Sequence, residues 1–504
     1  MNMLEHPHLP DTSFDGGDMD CGNGLLLMIR RNIDPLPRGG LLEILSTETS
    51  VREDLPAWCR MTGNALVSFL EEGKRMSFLV CKGTLQERAP AATAATVVAP
   101  VQVIREIIIP KDLPKPIPAP AVEPLSVMGI GSWPRPGWML RAIHDHMEGR
   151  LADAEFEATA DDAVRLVIDS QLRAGVHVVT DGEQRRDSYA SFVGGILDNC
   201  QLIPLTDLLP LVDDPEEFER ELRALDIPAS DVRHPAVFGP LGRSRPIAAG
   251  ELAFVRSLTD KPVKIALPGP YLLTRTMWME CISDRAYATR EHMATDIVRV
   301  LREELADLLA GGASIVQFDE PVLTEVVFTG AKTQRSFMCG ALSEKGDAAT
   351  ELAFARDLLN AVVDGFPIER VAMHVCRGNW TTDESICLSG DYTPLLETLC
   401  AINVGTYFLE LCTPRAGEIA LLGKLPQDRR VGIGVVNQKL DLVEPVEEIY
   451  GRIQAAIQVF GAERVLINPD CGFATFADNP VTSARVAEAK LLNMVRAAEM
   501  ARRG

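Results

Sequence analysis

The residues with the most concentrated chemistry lie late in the chain. His374 and Cys376 fall in Met373-His374-Val375-Cys376-Arg377-Gly378-Asn379, Glu410 in Tyr407-Phe408-Leu409-Glu410-Leu411, and Cys471 in Asn468-Pro469-Asp470-Cys471-Gly472. A His and a Cys two apart on an apolar strand point to the same face, so both side chains can converge on one ion. An imidazole nitrogen, two thiolates and a carboxylate form a borderline-soft donor set, which favours Zn2+ over Mg2+ or Ca2+ by ligand type. Taken alone, a His-x-Cys pair on a buried strand is ordinary core filling. The phase of Glu410 and Cys471 decides between the two readings, and phase is a property of the elements that carry them.

From about residue 125 onward, short apolar β-rich runs alternate with helical patterns. Eight such runs stand at 127–130, 176–180, 263–267, 315–318, 371–375, 406–411, 431–436 and 465–467. Stretches such as 154–174, 294–310 and 446–460 carry helical spacing between them, with Gly at several ends. Eight βα units predict an α/β fold of the TIM-barrel type, whose active site lies at the C-terminal ends of the strands. Gly131-Ser132 follows the first run, Asp181-Gly182-Glu183 the second and Asp319-Glu320 the fourth, while His374, Cys376, Glu410 and Cys471 close the fifth, sixth and eighth. Three strands thus bring the four zinc-type ligands to one rim, and the metal reading prevails over core filling.

A chain of 504 residues exceeds one ordinary core, so more than one domain is expected. With 50 Lys+Arg against 71 Asp+Glu, the net charge of −21 argues against nucleic acid or an anionic membrane surface as partner. No window approaches a membrane-spanning length of apolar residues, and the N-terminus lacks a basic region followed by an apolar one. A cytoplasmic location follows. Eleven cysteines spread over this length do not make a disulfide framework; in a reducing compartment, thiol chemistry or metal binding suits those that sit in motifs.

Residues 1–86 have a pattern of their own. A helix is predicted over 25–33, a strand over 41–45, a second helix over 52–70 interrupted near Pro56, and a closing strand over 76–81, which together make a small two-layer α/β sandwich. Cys21 stands where the first helix begins, and the positive end of a helix dipole lowers a thiol's pKa. Residues 87–124 turn Ala/Pro/Val-rich and read as an extended linker, in which 101–109 is apolar enough for a short strand docking on either domain. The barrel is assigned to 125–504.

Asp20-Cys21, the helix after it, Pro37-Arg38-Gly39-Gly40, the 41–45 strand and Asp54-Leu55-Pro56-Ala57-Trp58-Cys59 resemble the TusA-like sulfur-carrier family. That family carries persulfide sulfur on the cysteine of a Cys-Pro-x-Pro motif, matched in position by Cys21; Gly22 and Gly24 stand here in place of both prolines. Ile130-Gly131-Ser132, Gly182-Glu183, Gln317-Phe318-Asp319-Glu320-Pro321, His374-x-Cys376, Glu410 and Asn468-Pro469-Asp470-Cys471-Gly472 are similar to the catalytic half of cobalamin-independent methionine synthase, over about 125–502. The resemblance implies that His374, Cys376, Glu410 and Cys471 bind zinc, that the metal activates the thiol of homocysteine for methylation, and that Ile130, Gly131, Ser132, Glu183 and Asp319 hold the amino acid. It also offers Trp278 as a stacking residue for a planar donor. The family's proton-donating histidine has no counterpart; Lys439, in Asn437-Gln438-Lys439, falls near its position. A sulfur-carrier-like domain replaces the family's additional barrel, which leaves methylfolate and a methylcorrinoid both open as the methyl donor.

The leading expectation is therefore zinc-dependent methyl or alkyl transfer to a small, homocysteine-like thiol. A second is a sulfur-trafficking protein with persulfide on Cys21, supplied by a sulfur-relay partner, and the barrel as docking or acceptor module. A third makes the N-terminal module an interaction or dimerisation surface.

Overall fold

The computed structural model describes residues 6–17, 19, 25–85, 103–204, 233–279, 282–328, 346–379, 382, 387–477 and 480–503. Cys21 lies outside the described residues. The chain divides into two compact units, 1–102 and 103–504.

In the first unit, β1 (Thr12–Asp15), β2 (Leu41–Ser46), β3 (Ala65–Glu72) and β4 (Arg75–Cys81) form a sheet of order β1-β2-β4-β3. β1 runs parallel to β2, and the other pairs are antiparallel. Strand alternation sends Leu42, Ile44, Met76, Phe78 and Val80 to one face, where Leu25, Ile29 and Ile33 of the helix Leu25–Ile33 and Val51, Leu55 and Trp58 of the helix Val51–Thr62 cover them. This is the expected two-layer sandwich, with two local corrections. Pro56 does not interrupt its helix, because its missing N–H deprives only the carbonyl of Arg52 in an exposed first turn. The helix does not run to residue 70. Gly63 takes φ +73° and its N–H returns to the carbonyl of Cys59, so the chain reverses and residues 65–72 become β3.

The second unit is a TIM barrel. β7 (Lys264–Pro268), β8 (Ile315–Asp319), β9 (Val371–Val375), β10 (Thr406–Leu409), β11 (Arg430–Gly434) and β12 (Val465–Asn468) pair in sequence order, all parallel. The first two expected strands close the ring through single bridges, Val127 to Ile467 and Val179 to Val263. His177 joins them: its N–H bonds the carbonyl of Val127, while its Nδ1 accepts from the Val127 N–H at 3.0 Å. Burial holds that imidazole neutral, with its pKa lowered to about 4. Met128, Ile130, Val178, Ile315, Ala372, Phe408 and Leu466 fill the barrel interior, and a larger apolar layer packs the helices on the outside. An antiparallel pair that sequence reading missed, β5 (Asp198–Pro204) with β6 (Arg233–Gly242), is added to the barrel. Among the described residues no helix is long and apolar enough to cross a membrane.

Residues 103–124 are tied to this unit by hydrogen bonds from its side chains. Asn199 accepts from Ile104 N at 2.8 Å and donates to Ile104 O at 2.8 Å, Ser314 donates to Pro120 O at 2.8 Å, and Arg370 and Arg430 donate to the carbonyls of Ile117 and Val122. The described part of the apolar run, 103–109, is not a strand. The Asn199 amide supplies the one donor–acceptor pair that a neighbouring strand would have offered.

Candidate metal centre

Strand alternation on β9 turns Ala372 and His374 inward, and Cys376 follows in the same phase just past the strand end. Cys471 comes from the turn after β12. One ligand atom from each of His374, Cys376 and Cys471 lies within 4.8 Å of the other two, and all three residues are buried. His374 Nδ1 faces the carbonyl of Phe408 at 3.2 Å. That contact assigns the ring proton to Nδ1, and Nε2 is a buried atom with no hydrogen-bond partner among the described residues. The Cys376 thiol is pulled well below its usual range by the hydrogen bond from Cys471 and by His374; the same bond and burial push Cys471 up. An unpartnered imidazole nitrogen beside two thiols of this kind fits a tetrahedral Zn2+ site with one position left over.

Glu410 follows β10 by one residue and is fully buried, and it is not part of that three-residue cluster. Its Oε2 accepts from Arg377 N at 3.1 Å and Asn379 Nδ2 at 2.7 Å, and its Oε1 from Arg415 at 2.7 and 2.9 Å. Burial raises its pKa to about 8, with Asp470 and Cys376 adding repulsion. Asp470, next to Cys471, is anchored in turn by Leu411 N and Cys412 N, both at 2.9 Å.

A pocket opens beside the three ligands, lined by Ile130, Ser132, Glu183, Asp319, His374 and Cys376 among others. Two of its polar side chains, and Asp470 behind it, sit where a glycine on another segment leaves room. A Cβ on Gly131 would lie 2.1 Å from Glu183 Oε1, one on Gly472 2.2 Å from Ser132 Oγ, and one on Gly434 1.9 Å from Oδ1 of Asp470 behind the wall. Glu183 itself has φ +55°, an uncommon conformation for a non-glycine residue. Arg135 holds it there by donating to the Glu183 carbonyl at 2.5 Å. Burial lifts the Glu183 carboxyl to about 7 against the pull of Arg186, and lifts Asp319 to about 6 against the pull of His374, Gln317 and Lys264. Two acceptors that prefer a positive neighbour thus share the pocket wall with the sulfur ligands.

Other expected site residues are not on this wall. Trp278 is buried in the apolar layer outside the barrel. Lys439 is buried with its ammonium against the sulfur of Cys387. Sequence reading passed over Tyr189, Thr475 and Phe476 on the wall, and over Lys264, fully buried on β7. For Lys264 a signal existed, a lone lysine in Val263-Lys264-Ile265-Ala266-Leu267.

A closed parallel barrel that gathers an imidazole and two thiols in a pocket at the carboxyl ends of its strands defines a class: a barrel with a soft-ligand metal centre where barrel enzymes place their active sites. Residues 226–500 match the family described as "Cobalamin-independent synthase, Catalytic domain". That is more than half of the chain, and the chain belongs to this family. Residues 24–82 match "Sulfurtransferase TusA", so the first unit is a TusA-like domain. Relatives include a methionine synthase of Sulfurisphaera tokodaii, 27% identical over 374 residues that cover 74% of this chain and 91% of that protein. Another, from Sulfolobus acidocaldarius, is 26% identical over 368 residues, 73% and 89% of the two chains. The solved structure of a B12-independent methionine synthase from Shewanella sp. W3-18-1 in complex with selenomethionine shares the fold, with a TM-score of 0.57 at 22% identity over 75% of this chain and 98% of that one.

Proposed function

We propose that the chain transfers a methyl group to the thiol of a small amino acid such as homocysteine, using zinc held by His374, Cys376, Cys471 and Glu410. The observation that carries this reading is the convergence of three soft ligands within 4.8 Å beside a pocket that also holds Glu183 and Asp319. Zinc bound there supplies the positive charge that keeps a thiol deprotonated near neutral pH.

The chain's own groups do the rest. The Phe408 carbonyl fixes the His374 tautomer, so that Nε2 presents a lone pair. Asn379 and Arg415 brace Glu410. Glu183 and Asp319 accept an α-ammonium, Gly131 leaves room for the first of them, and Ile130 and Ser132 line the space beside it. The methionine synthase names of the relatives support homocysteine as acceptor and methylfolate as donor, with a methylcorrinoid as the other donor to test.

The test is direct. Zinc-loaded protein is incubated with homocysteine and either methyltetrahydrofolate or methylcobalamin, and the thioether is sought by mass spectrometry. No thioether with either donor, from protein holding stoichiometric zinc, overturns the proposal. The TusA match favours a second reading, in which Cys21 receives persulfide from a sulfur-relay protein and the barrel is its acceptor.

A further inference from the structure

Lys264 is 0% exposed and lies in a barrel interior where the apolar side chains Met128, Ile130, Val178, Ile315, Ala372, Phe408 and Leu466 cluster. Burying an ammonium there costs stability relative to an apolar residue of the same size. Its placement therefore calls for another explanation. Its Nζ donates to Gln317 Oε1 at 2.7 Å and lies 4.1 Å from the centre of the Phe408 ring. On the same strand face, Gln317 Nε2 donates to Asp319 Oδ1 at 2.7 Å. The chain of contacts runs from the barrel floor to the pocket wall.

Its direction is forced by chemistry. While protonated, Lys264 can only donate, so Gln317 turns its oxygen toward it and its NH2 faces Asp319; burial lowers the lysine's pKa to about 7, against the pull of Asp319 and Glu183. That NH2 engages Oδ1 and leaves Oδ2 of Asp319 for the pocket. Without the ammonium, the amide is free to flip and set an oxygen against the carboxylate. Lys264 also packs on Phe408, the residue whose carbonyl orients His374.

We infer that Lys264 is a positioning residue for substrate recognition: it locks the Gln317 amide, and the amide holds Asp319 as a fixed seat for the α-ammonium of an amino-acid thiol. The inference rests on the proposed function and extends it to the residue that gives the site its preference for amino acids over other thiols.

The experiment uses the full zinc-loaded chain and two probes, homocysteine and 4-mercaptobutanoate, which lacks the amino group. Binding of both is measured by calorimetry for the wild type, Lys264→Met, Gln317→Leu and Asp319→Asn. Lys264→Met should weaken homocysteine about tenfold, the scale of a charge-assisted hydrogen bond, and leave 4-mercaptobutanoate unchanged. Gln317→Leu should reproduce that split. A lysine that merely supports the fold would instead weaken both thiols together, which overturns the inference. If Asp319→Asn separates the two thiols and Lys264→Met does not, the inference about Lys264 fails alone. If Asp319→Asn does not separate them either, the ammonium seat itself is refuted and both fall.

Discussion

Replacing Gly131 by alanine adds one methyl group against the carboxyl of Glu183. The new Cβ would stand 2.1 Å from Glu183 Oε1 and 3.2 Å from its Cδ, whereas ordinary van der Waals contact begins at 3.4 Å. The carboxyl must therefore retreat by about 1 Å, a displacement that in a reacting site costs up to about a hundredfold in rate. Glu183 has little freedom to absorb it: the side chain is buried, the backbone is at φ +55°, and Arg135 grips the carbonyl. Overpacking adds a destabilisation of about 1–3 kcal/mol. The expected result is a kcat/KM for homocysteine lowered by about 10–100-fold, with zinc content unchanged because His374, Cys376 and Cys471 are not touched. Steady-state kinetics, metal analysis and a thermal melt on the same preparation check this. Shortening the acid, in the double variant Gly131→Ala with Glu183→Asp, should recover part of the loss. A single variant with wild-type kinetics and an unshifted melt would refute the reasoning, since the methyl would then have found space that the structure does not contain.

Cys471→Ala should lose zinc and thioether formation together, with metal affinity down by at least about a hundredfold; retention of stoichiometric zinc would remove Cys471 from the ligand set. Glu183→Gln tests the buried acid. Burial lifts that carboxyl from 4.5 to about 7, so between those values the folded state keeps a proton that the unfolded chain has released, and stability falls as pH rises through the window. The penalty levels off above pH 7 at on the order of 3 kcal/mol. The variant should melt higher than wild type at pH 8, with the gain shrinking toward pH 5; an equal gain at both would disprove the buried-acid account. Exposure to a cysteine desulfurase and a persulfide donor should add the mass of one sulfur atom to Cys21 if the sulfur-carrier reading holds, and an unmodified Cys21 rules it out.

The barrel was legible because buried parallel strands read as apolar runs, and β7 to β12 all stand where such runs predict them. The first two barrel strands contribute one bridge each, yet their apolar runs marked their places. Residues 65–70 were misread as helix, since the reversal depends on the φ of Gly63 and not on hydrophobic period. His374 and Cys376 were legible from two-residue spacing, and Cys471 from strand order. The bracing of Glu410 by Arg415 and Asn379 was not, because Asn379 comes from another loop and Arg415 reaches back within an irregular one that has no hydrophobic period. Lys264 escaped for a different reason: an isolated lysine in an apolar strand normally marks an exposed edge, and only the closed barrel shows it to be enclosed.

The three glycines at and behind the pocket wall, at 131, 434 and 472, each leave space for a polar side chain from elsewhere in the chain, Glu183, Asp470 and Ser132. Each pair behaves as one two-letter character. A library that randomises such positions singly would return mostly inactive clones and suggest a site closed to redesign. Randomising the partners jointly, with a larger residue at the glycine matched to a shorter one opposite, is the search that can reshape this pocket for a different thiol.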